Sequence, residues 1–348
     1  MKEKLFGKTL EELKLLVREL GLPTFTATQI ADWLYRKDIF NIKDMSNLSK
    51  KARGILDEKF EFGITEPIQV QESKDGTKKY LFPVSGQNYI ESAYIPELKR
   101  NTLCVSSQAG CMRRCTFCMT GRQGLLGNLS TGEILNQVKS LPEKETLTNI
   151  VYMGMGEPFD NFNEVMKSLE IMTSDWGFGW SPKRITVSTI GILPAVRDFL
   201  VQSSCNLAIS LHSPYDAERE KLLPVEKAHP ASGLIEEIRN TEINRYRKIS
   251  FEYIMFKGLN DTPHHAIALA MLLSGIRCRV NLIHYHPIPD SPLKGTPLNE
   301  MEGFRDLLNA KGIIATIRKS RGQDIDAACG LLSTKELKLN EENIKGKG

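Results

Sequence analysis

The chain has 348 residues, of which 46 are Lys or Arg and 42 are Asp or Glu, so its formal charge is only +4. This length allows one large domain and a smaller one, and a content of 41% hydrophobic and 25% charged residues is ordinary for a globular protein. No apolar run approaches the roughly 18 to 20 residues that a membrane span requires. We therefore expect a soluble, cytoplasmic protein with no membrane partner.

The first hundred residues show two different patterns. Leucines at helical spacing precede a Gly21-Leu22-Pro23 break, and Ile30, Trp33 and Leu34 continue the spacing after it, which predicts a small helical domain over residues 1–60. Two turn signals, Asp75-Gly76 and Ser85-Gly86, predict short strands in a β-rich extension or linker over residues 61–100.

Strand and helix patterns alternate over residues 101–334, which we interpret as one domain. Repeated βα units predict parallel strands covered by helices. Six or seven units predict an α/β fold with a partial or complete barrel, whose active site would lie at the C-terminal ends of the strands. The predicted strands lie near residues 103–106, 149–153, 185–188, 207–211, 250–255, 280–283 and 313–317. The Lys-, Glu- and Asn-rich tail over residues 335–348 is typical of a disordered segment.

Cys111, Cys115 and Cys118 form a C-x3-C-x2-C array in the loop after the first of these strands. Thiolates select zinc or iron–sulfur centres. Three thiolates are one fewer than the four that usually hold a [4Fe–4S] cluster, so one iron would stay open to a substrate or cofactor. A structural zinc site closes four ligands, usually by pairing C-x2-C with a distant second pair, but the other cysteines stand singly and no His-x3-His or similar pattern lies nearby. We favour the cluster, with zinc or buried core cysteines as alternatives.

The other cysteines stand singly, at positions Cys104, Cys205, Cys278 and Cys329. The total of seven is odd, and we expect no secretory leader. Both observations favour a reducing compartment over structural disulfides.

Glycine-containing and polar segments follow several predicted strands. Residues 153–158 read Met-Gly-Met-Gly-Glu-Pro, whose glycines allow a ligand to approach the backbone and whose Glu157 can pair with a cationic group. Residues 188–191, 210–214 and 283–287 follow three further strands. Because the ends of parallel strands meet at one mouth, these segments and the cysteine array predict one site for an amino acid moiety, a ribose and an adenine.

These motifs together resemble a known family. A C-x3-C-x2-C array with a Gly-Glu-Pro segment is similar to the radical S-adenosylmethionine (SAM) superfamily, in which the open iron binds the amino and carboxylate groups of SAM. Residues 101–108, 153–158, 210–212 and 321–330 together resemble the RlmN/Cfr family of RNA adenosine methyltransferases. The resemblance extends from about residue 21 to residue 332, and it implies an α/β fold with a partial (β/α)6-type barrel.

The resemblance implies a [4Fe–4S] cluster on the cysteine array and two SAM molecules per turnover. Cys329 would take a methyl group from the first SAM and become S-methylcysteine. Reductive cleavage of the second would give a 5′-deoxyadenosyl radical, which abstracts hydrogen from this methyl so that a carbon radical adds to the electrophilic adenine ring. Cys104 would help remove the ring proton and resolve the protein–RNA adduct by a disulfide with Cys329. Glu91 matches the family's proton-accepting carboxylate.

The same resemblance implies a set of SAM contacts. They are Gly156, Glu157, Ser188, Ser210, Leu211, His212 and His286. His286 is a departure, because family members often carry Asn in a Tyr-Asn-Pro context, although an imidazole can still make one hydrogen bond. Gly330-Leu331 replaces the commoner Gly-Gln, which bears on RNA placement. Cys205 and Cys278 match no family role.

The basic stretch over residues 317–322 resembles the branch that methylates C2 rather than the antibiotic-resistance branch of the Cfr type, which methylates C8. We therefore expect a C2 methyltransferase acting on 23S rRNA and tRNA, with the target base turned out of its stack. An electron donor such as flavodoxin or ferredoxin and a monomeric state are further expectations. The alternatives are C8 methylation, an RNA-binding protein with a merely structural metal centre, and a radical SAM activase of a partner protein.

Overall fold

The computed structural model describes residues 2–325. Its first unit contains β1 (Glu3–Lys4), α1 (Leu10–Glu19), α2 (Phe25–Tyr35), α3 (Lys50–Lys59) and β2 (Phe60–Glu61). All three helices lie within residues 1–60, and the apolar spacing noted in the sequence falls in α1 and α2. A capping box starts α1, because Thr9 Oγ accepts from the Glu12 N–H at 3.2 Å and the Glu12 carboxylate accepts from the Thr9 N–H at 2.7 Å. Parallel pairing of β1 with β2, which sequence patterns did not indicate, joins the two ends of the unit.

Ten strands form one sheet, and a separate hairpin carries the cysteine array. The strands that precede this hairpin are β3 (Gln69–Glu72), β4 (Lys78–Val84), β5 (Asn88–Glu97) and β6 (Arg100–Cys104). The hairpin consists of β7 (Gln108–Cys111) and β8 (Gly124–Asn128), with the short α4 (Met119–Gln123) between them. The strands that follow are β9 (Asn149–Tyr152), β10 (Ile185–Thr189), β11 (Asn206–Ser210), β12 (Ile249–Met255), β13 (Cys278–His284) and β14 (Ile314–Arg318).

The sheet order is β14-β13-β12-β11-β10-β9-β6-β5-β4-β3. All pairings from β6 to β14 are parallel, whereas β3, β4 and β5 continue the sheet in antiparallel register. Over residues 2–325 the two edge strands, β14 and β3, do not pair with each other. The α/β barrel predicted from the repeated βα units is therefore confirmed, and it is the partial barrel that the family resemblance implies.

Helices cover the outside of the parallel strands. They are α5 (Thr131–Lys139), α6 (Phe162–Thr173), α7 (Leu193–Gln202), α8 (Asp216–Leu222), α9 (Ala231–Asn240), α10 (Pro263–Leu272) and α11 (Leu298–Ala310). None of the helices in the described part of the chain is long and apolar enough to span a membrane.

The two faces of the parallel strands differ in polarity. Phe251 and Tyr253 of β12 are buried in the core, where the Tyr253 ring lies 5.5 Å from that of Phe304 in α11. Glu252 and Ile254, which alternate with them, line a cavity inside the barrel. Side chains of a strand alternate between faces, so the apolar face packs against the helices and the more polar face surrounds the cavity.

The chain after β14 runs to the opposite edge of the sheet. The Lys74 N–H donates to Asp324 Oδ2 at 3.0 Å, and the Gly322 N–H donates to Asp75 Oδ2 at 3.1 Å. Residues 320–325 therefore link the end of β14 to the turn between β3 and β4. Cys329 and the predicted disordered tail after residue 335 lie outside the described residues.

Candidate active site at the mouth of the barrel

A cavity of about 240 Å³ opens at the carboxyl ends of the parallel strands. This is where a barrel of parallel strands places its active site. The cavity brings together eight of the side chains or glycines singled out from the sequence. They are Cys111, Cys115, Cys118, Gly156, Glu157, Ser188, Ser210 and His212.

The three cysteines are presented by the β7–β8 hairpin. Cys111 ends β7, the Cys118 N–H donates to the Cys115 carbonyl at 3.1 Å, and Cys118 precedes α4 as its N-cap. Arg113 anchors this loop to the segment after β9, because its Nε donates to Asp160 Oδ2 at 2.6 Å. The loop therefore holds three thiols at the cavity, and no fourth cysteine of the described residues lines it.

Burial raises the pKa of Cys111 to about 12 and raises the pKa of Cys115 well above its usual value. Such thiols stay protonated unless a metal displaces the proton, as coordination does. Over residues 2–325, no three His, Cys, Asp or Glu side chains converge as the ligands of one metal ion would. Thiolates that each bind a different iron of a cluster need not converge on one point, so the cysteine array fits a [4Fe–4S] cluster with one open iron.

Gly156 and Glu157 form the wall next to the cysteines. Gly156 has φ of +98°, and a Cβ at this position would lie 2.6 Å from the Gln108 side chain, so only glycine fits. The Glu157 carboxylate accepts from Thr189 Oγ at 2.7 Å and from the backbone N–H groups of Phe159 and Ile190 at 3.0 and 2.9 Å. Burial nevertheless raises the pKa of Glu157 to about 7. A cationic amino group in the cavity would stabilise its charged form.

His212 follows β11 in the left-handed region, with φ of +60°. Its Nδ1 accepts from the Ile254 N–H at 3.0 Å, and its carbonyl accepts from Asn260 Nδ2 at 2.6 Å. Burial lowers the pKa of His212 to about 3, with a further contribution from the charge of Arg219. The imidazole is therefore neutral, and because Nδ1 is an acceptor, the proton lies on Nε2. His212 offers a hydrogen-bond donor to the cavity.

Cys104 and Glu91 lie on the strands beside the cavity. The strand register pairs Lys79 with Ala93 and Ala93 with Cys104, so these three side chains lie on one face of the sheet. The small Ala93 lies between Lys79 and Cys104. Glu91 precedes Ala93 on the same face, and its Oε2 lies 2.9 Å from Lys79 Nζ in a buried ion pair. Burial raises the pKa of Cys104 to about 11, and the backbone of Met153, which lines the cavity, hydrogen-bonds to this cysteine.

Two of the predicted SAM contacts lie away from the cavity lining. Leu211 is fully buried in the core, and its N–H donates to the Glu252 carbonyl at 3.0 Å. His286 is exposed and its Nε2 pairs with Ser320 Oγ at 2.7 Å. Their roles as SAM contacts stay predictions.

Sequence patterns missed Lys79, Arg219 and Glu252. Glu252 could have been found, because a carboxylate inside an otherwise apolar strand is rarely buried without a specific partner. No such signal marks Lys79 or Arg219, because a basic residue is ordinary on the polar face of an amphipathic strand or helix.

Comparisons with known proteins agree with this geometry. Residues 105–270 match the radical SAM superfamily, and residues 3–62 match the ribosomal RNA large subunit methyltransferase N-terminal domain. A probable dual-specificity RNA methyltransferase RlmN from Parabacteroides distasonis is 55% identical over 333 residues, which cover 96% of this chain and 97% of the relative. A protein of the same name from Bacteroides thetaiotaomicron is 51% identical, with 98% of each chain covered. The chain belongs to the RlmN family of radical SAM methyltransferases.

A solved structure supports the same assignment. A radical SAM methyltransferase from Sphaerobacter thermophilus aligns with a TM-score of 0.86 and 37% identity, covering 94% of this chain and 98% of that chain. Membership of the RlmN family confirms the predicted enzyme class and implies a [4Fe–4S] cluster and SAM as its cofactors. A merely structural metal centre and a radical activase are left without support.

Proposed function

We propose that this methyltransferase modifies C2 of adenosine in 23S rRNA and in tRNA, using a methyl group carried on Cys329. The observation that carries the proposal is the single cavity in which the three thiols of the array meet Gly156, Glu157, Ser188, Ser210 and His212. The relatives named dual-specificity RNA methyltransferase RlmN support the RNA substrate.

Cys111, Cys115 and Cys118 would hold the cluster, which when bound supplies the electron for reductive cleavage of SAM. Gly156 provides the close backbone approach and Glu157 the carboxylate for the SAM amino group. Ser188 and Ser210 offer hydroxyl groups, and His212 offers its Nε2 proton. These residues line the same cavity, so one SAM molecule can contact all of them.

The methyl-transfer residues would act from the sheet beside the cavity. Cys329, which lies outside the described residues, would carry the methyl group. Glu91 would accept the proton from the adenine ring, and the ion pair with Lys79 holds its carboxylate on the face that carries Cys104. Cys104 would then release the product by forming a disulfide with Cys329. The link between residues 320–325 and the β3–β4 turn brings the chain before Cys329 next to these strands.

The division of labour between units is also a proposal. Residues 1–60 would grip RNA by shape and phosphates, with Lys50 and Lys51 exposed at the start of α3. Residues 61–100 would serve as the extension that carries Glu91, residues 101–334 as the catalytic barrel, and residues 335–348 as a polar tail. A flavodoxin or ferredoxin would supply electrons to a monomeric, cytoplasmic enzyme.

Nucleoside mass spectrometry tests this function. RNA from cells that lack the protein should lose 2-methyladenosine, and re-expression should restore it without producing 8-methyladenosine.

Cys329→Ala should restore nothing, because the methyl carrier is absent. Cys104→Ala should instead accumulate a covalent protein–RNA adduct, because the thiol for release is missing. Cys278→Ala, which changes a cysteine without a proposed role, is the matched control and should behave as the wild type. 8-Methyladenosine as the main product would contradict the C2 assignment.

A further inference from the structure

Glu252 occupies a position that strands of this kind rarely give to a carboxylate. It lies in the middle of β12, its side chain lines the cavity, and the residue is only 5% exposed. Burying a carboxylate is costly unless donors satisfy it. An oxygen of Glu252 that has no donor in the protein would need one from a ligand, so the donors of each oxygen must be compared.

The two carboxylate oxygens of Glu252 have different environments. Oε1 accepts from Ser250 Oγ at 2.9 Å and from Asn281 Nδ2 at 2.7 Å. Thr316 Oγ donates to Asn281 Oδ1 at 3.1 Å, so Asn281 is itself held in place from β14. These contacts link three neighbouring strands and fix the orientation of the Glu252 carboxylate.

Among the described residues, Oε2 of Glu252 has no hydrogen-bond donor. Over residues 2–325, no donor lies within hydrogen-bonding distance of this atom, nor is it among the polar atoms sealed from solvent without a partner. Glu252 is almost completely buried and lines the cavity, so a donor that reaches Oε2 from outside the described residues would come through the cavity. A ligand with O–H or N–H groups can therefore reach it.

We propose that Glu252 forms a hydroxyl subsite of this cavity, in which Oε2 accepts hydrogen bonds from the ribose hydroxyls of SAM. The proposal rests on SAM as the cofactor that RlmN-family membership implies. An ionised carboxylate only accepts hydrogen bonds, and carboxylates recognise ribose hydroxyls in this way in dinucleotide-binding folds.

The position of Glu252 separates it from the amino acid end of the cofactor. Glu157 and the cysteine array lie after β9 and β6, whereas Glu252 lies on β12, three strands further along the sheet. Three strand spacings correspond to roughly 14 Å along the sheet. The amino group of a SAM molecule bound at the cysteine array would lie next to Glu157 in the same cavity, and the sulfonium has no proton to donate. The donors left for Glu252 are the ribose hydroxyls and the adenine 6-amino group, and the two adjacent hydroxyls are the groups that carboxylates recognise in dinucleotide-binding folds.

Binding of SAM analogues to the cluster-loaded protein tests the subsite. Dissociation constants should be measured for SAM, for an analogue that lacks both ribose hydroxyls, and for an analogue whose adenine lacks the 6-amino group. The wild type should bind the dideoxy analogue about 10- to 100-fold more weakly than SAM, as expected when hydrogen bonds to a charged group are lost. Glu252→Ala should bind SAM and the dideoxy analogue with nearly equal affinity.

Two further variants keep the result interpretable. Ser250→Ala removes a donor to Oε1 and should retain the wild-type preference for SAM. Glu252→Gln keeps the shape of the side chain and should reduce the preference to a few fold, which serves if Glu252→Ala fails to load iron. Equal weakening of SAM and its dideoxy analogue in both Glu252 variants would overturn the proposal. Loss of discrimination only against the deaminated analogue would also overturn it, because the partner would then be adenine.

The readout is independent of the RNA product. If 8-methyladenosine or no methylated adenosine were formed in cells, the affinity ratios would still report on the hydroxyl subsite. Conversely, an unchanged ratio in the Glu252 variants would leave the C2 assignment untouched.

Discussion

Burial shifts the pKa values of two cavity residues, Glu157 and His212, in opposite directions. It raises the pKa of Glu157 to about 7 and lowers the pKa of His212 to about 3. The carboxyl becomes charged most easily when a cation enters, whereas the imidazole stays neutral and keeps its donor nitrogen. Both effects prepare the cavity for a ligand that carries an amino group and hydrogen-bond acceptors.

The shifted pKa of Glu157 predicts a pH-dependent stability. Between pH 4.5 and 7 the folded protein retains a proton on Glu157 that the unfolded chain releases, so this residue lowers the free energy of unfolding as the pH rises. The contribution amounts to about 1.4 kcal/mol per pH unit at most. The Glu157→Gln variant has no titratable group at this position, so it should lack this pH-dependent contribution to the free energy of unfolding. In urea unfolding of metal-free protein, the stability of this variant relative to wild type should therefore increase by up to roughly 3 kcal/mol from pH 4.5 to 7.

Glu58→Gln, on the exposed face of α3, is the control for this experiment. Its stability relative to wild type should not change over the same pH range. Parallel stability curves for wild type and Glu157→Gln would contradict the prediction.

At the scale of elements, one side chain holds the strand ends together at the cavity. Arg219 of α8 is completely buried, and its Nε donates to the Leu211 carbonyl at 3.1 Å. Its Nη2 donates to the carbonyls of Ser210 and Ile190 at 3.0 and 2.6 Å. A buried ion pair with Glu226 completes its contacts. Arg219 therefore positions the segments after β10 and β11 that carry the polar groups of the cavity.

Arg219→Met should lower the free energy of unfolding by about 3 to 5 kcal/mol, because it leaves the Glu226 carboxylate buried without a counter-ion. Denaturant unfolding measures this loss. Arg219→Met/Glu226→Leu should recover part of it, since no unpaired charge remains. Arg197→Met, which breaks an exposed Arg–Glu pair with Glu237, is the matched control and should have a much smaller effect. Equal losses for the two Arg variants would show that burial of the pair is not the cause.

At the scale of the whole molecule, the helical unit packs against the barrel through a close backbone contact. A Cβ on Gly132 at the start of α5 would lie 2.6 Å from the Phe6 carbonyl oxygen. Gly7, which faces Gly132, has φ of +97°, so both sides of the contact require glycine. Lys167 of α6 adds an ion pair to Glu12 of α1 at 2.8 Å.

Gly132→Ala should therefore weaken the packing of the helical unit on the barrel, by about 1 to 3 kcal/mol, as overpacking does. The segment over residues 63–68, which connects the two parts, should be cleaved by protease about tenfold faster or more. Gly303→Ala in α11 is the control, because a Cβ there meets nothing within 4 Å. Cleavage of Gly132→Ala at the wild-type rate would mean that the backbone adjusts without loss of packing.

The sequence by itself determined the features that depend on short segments. The parallel strands could be predicted because apolar β-branched runs between amphipathic helices require no knowledge of distant contacts. The cysteine array could be interpreted because its three thiols lie within eight residues, Cys111 to Cys118. Gly156 could be singled out because a glycine after a strand marks a close approach of the backbone. The roles of Cys104, Glu91 and Cys329 came from family resemblance rather than from local chemistry.

Only the tertiary structure decided which distant side chains meet. Lys79 reaches Glu91 because the register of β4 and β5 places both on one face, and a shift of one residue would reverse it. Glu252 leaves Oε2 open to the cavity because residues of two neighbouring strands position the other oxygen. Leu211 lies away from the cavity because successive residues at a strand end point to opposite faces. These contacts depend on strand order and register, which local sequence patterns constrain only weakly.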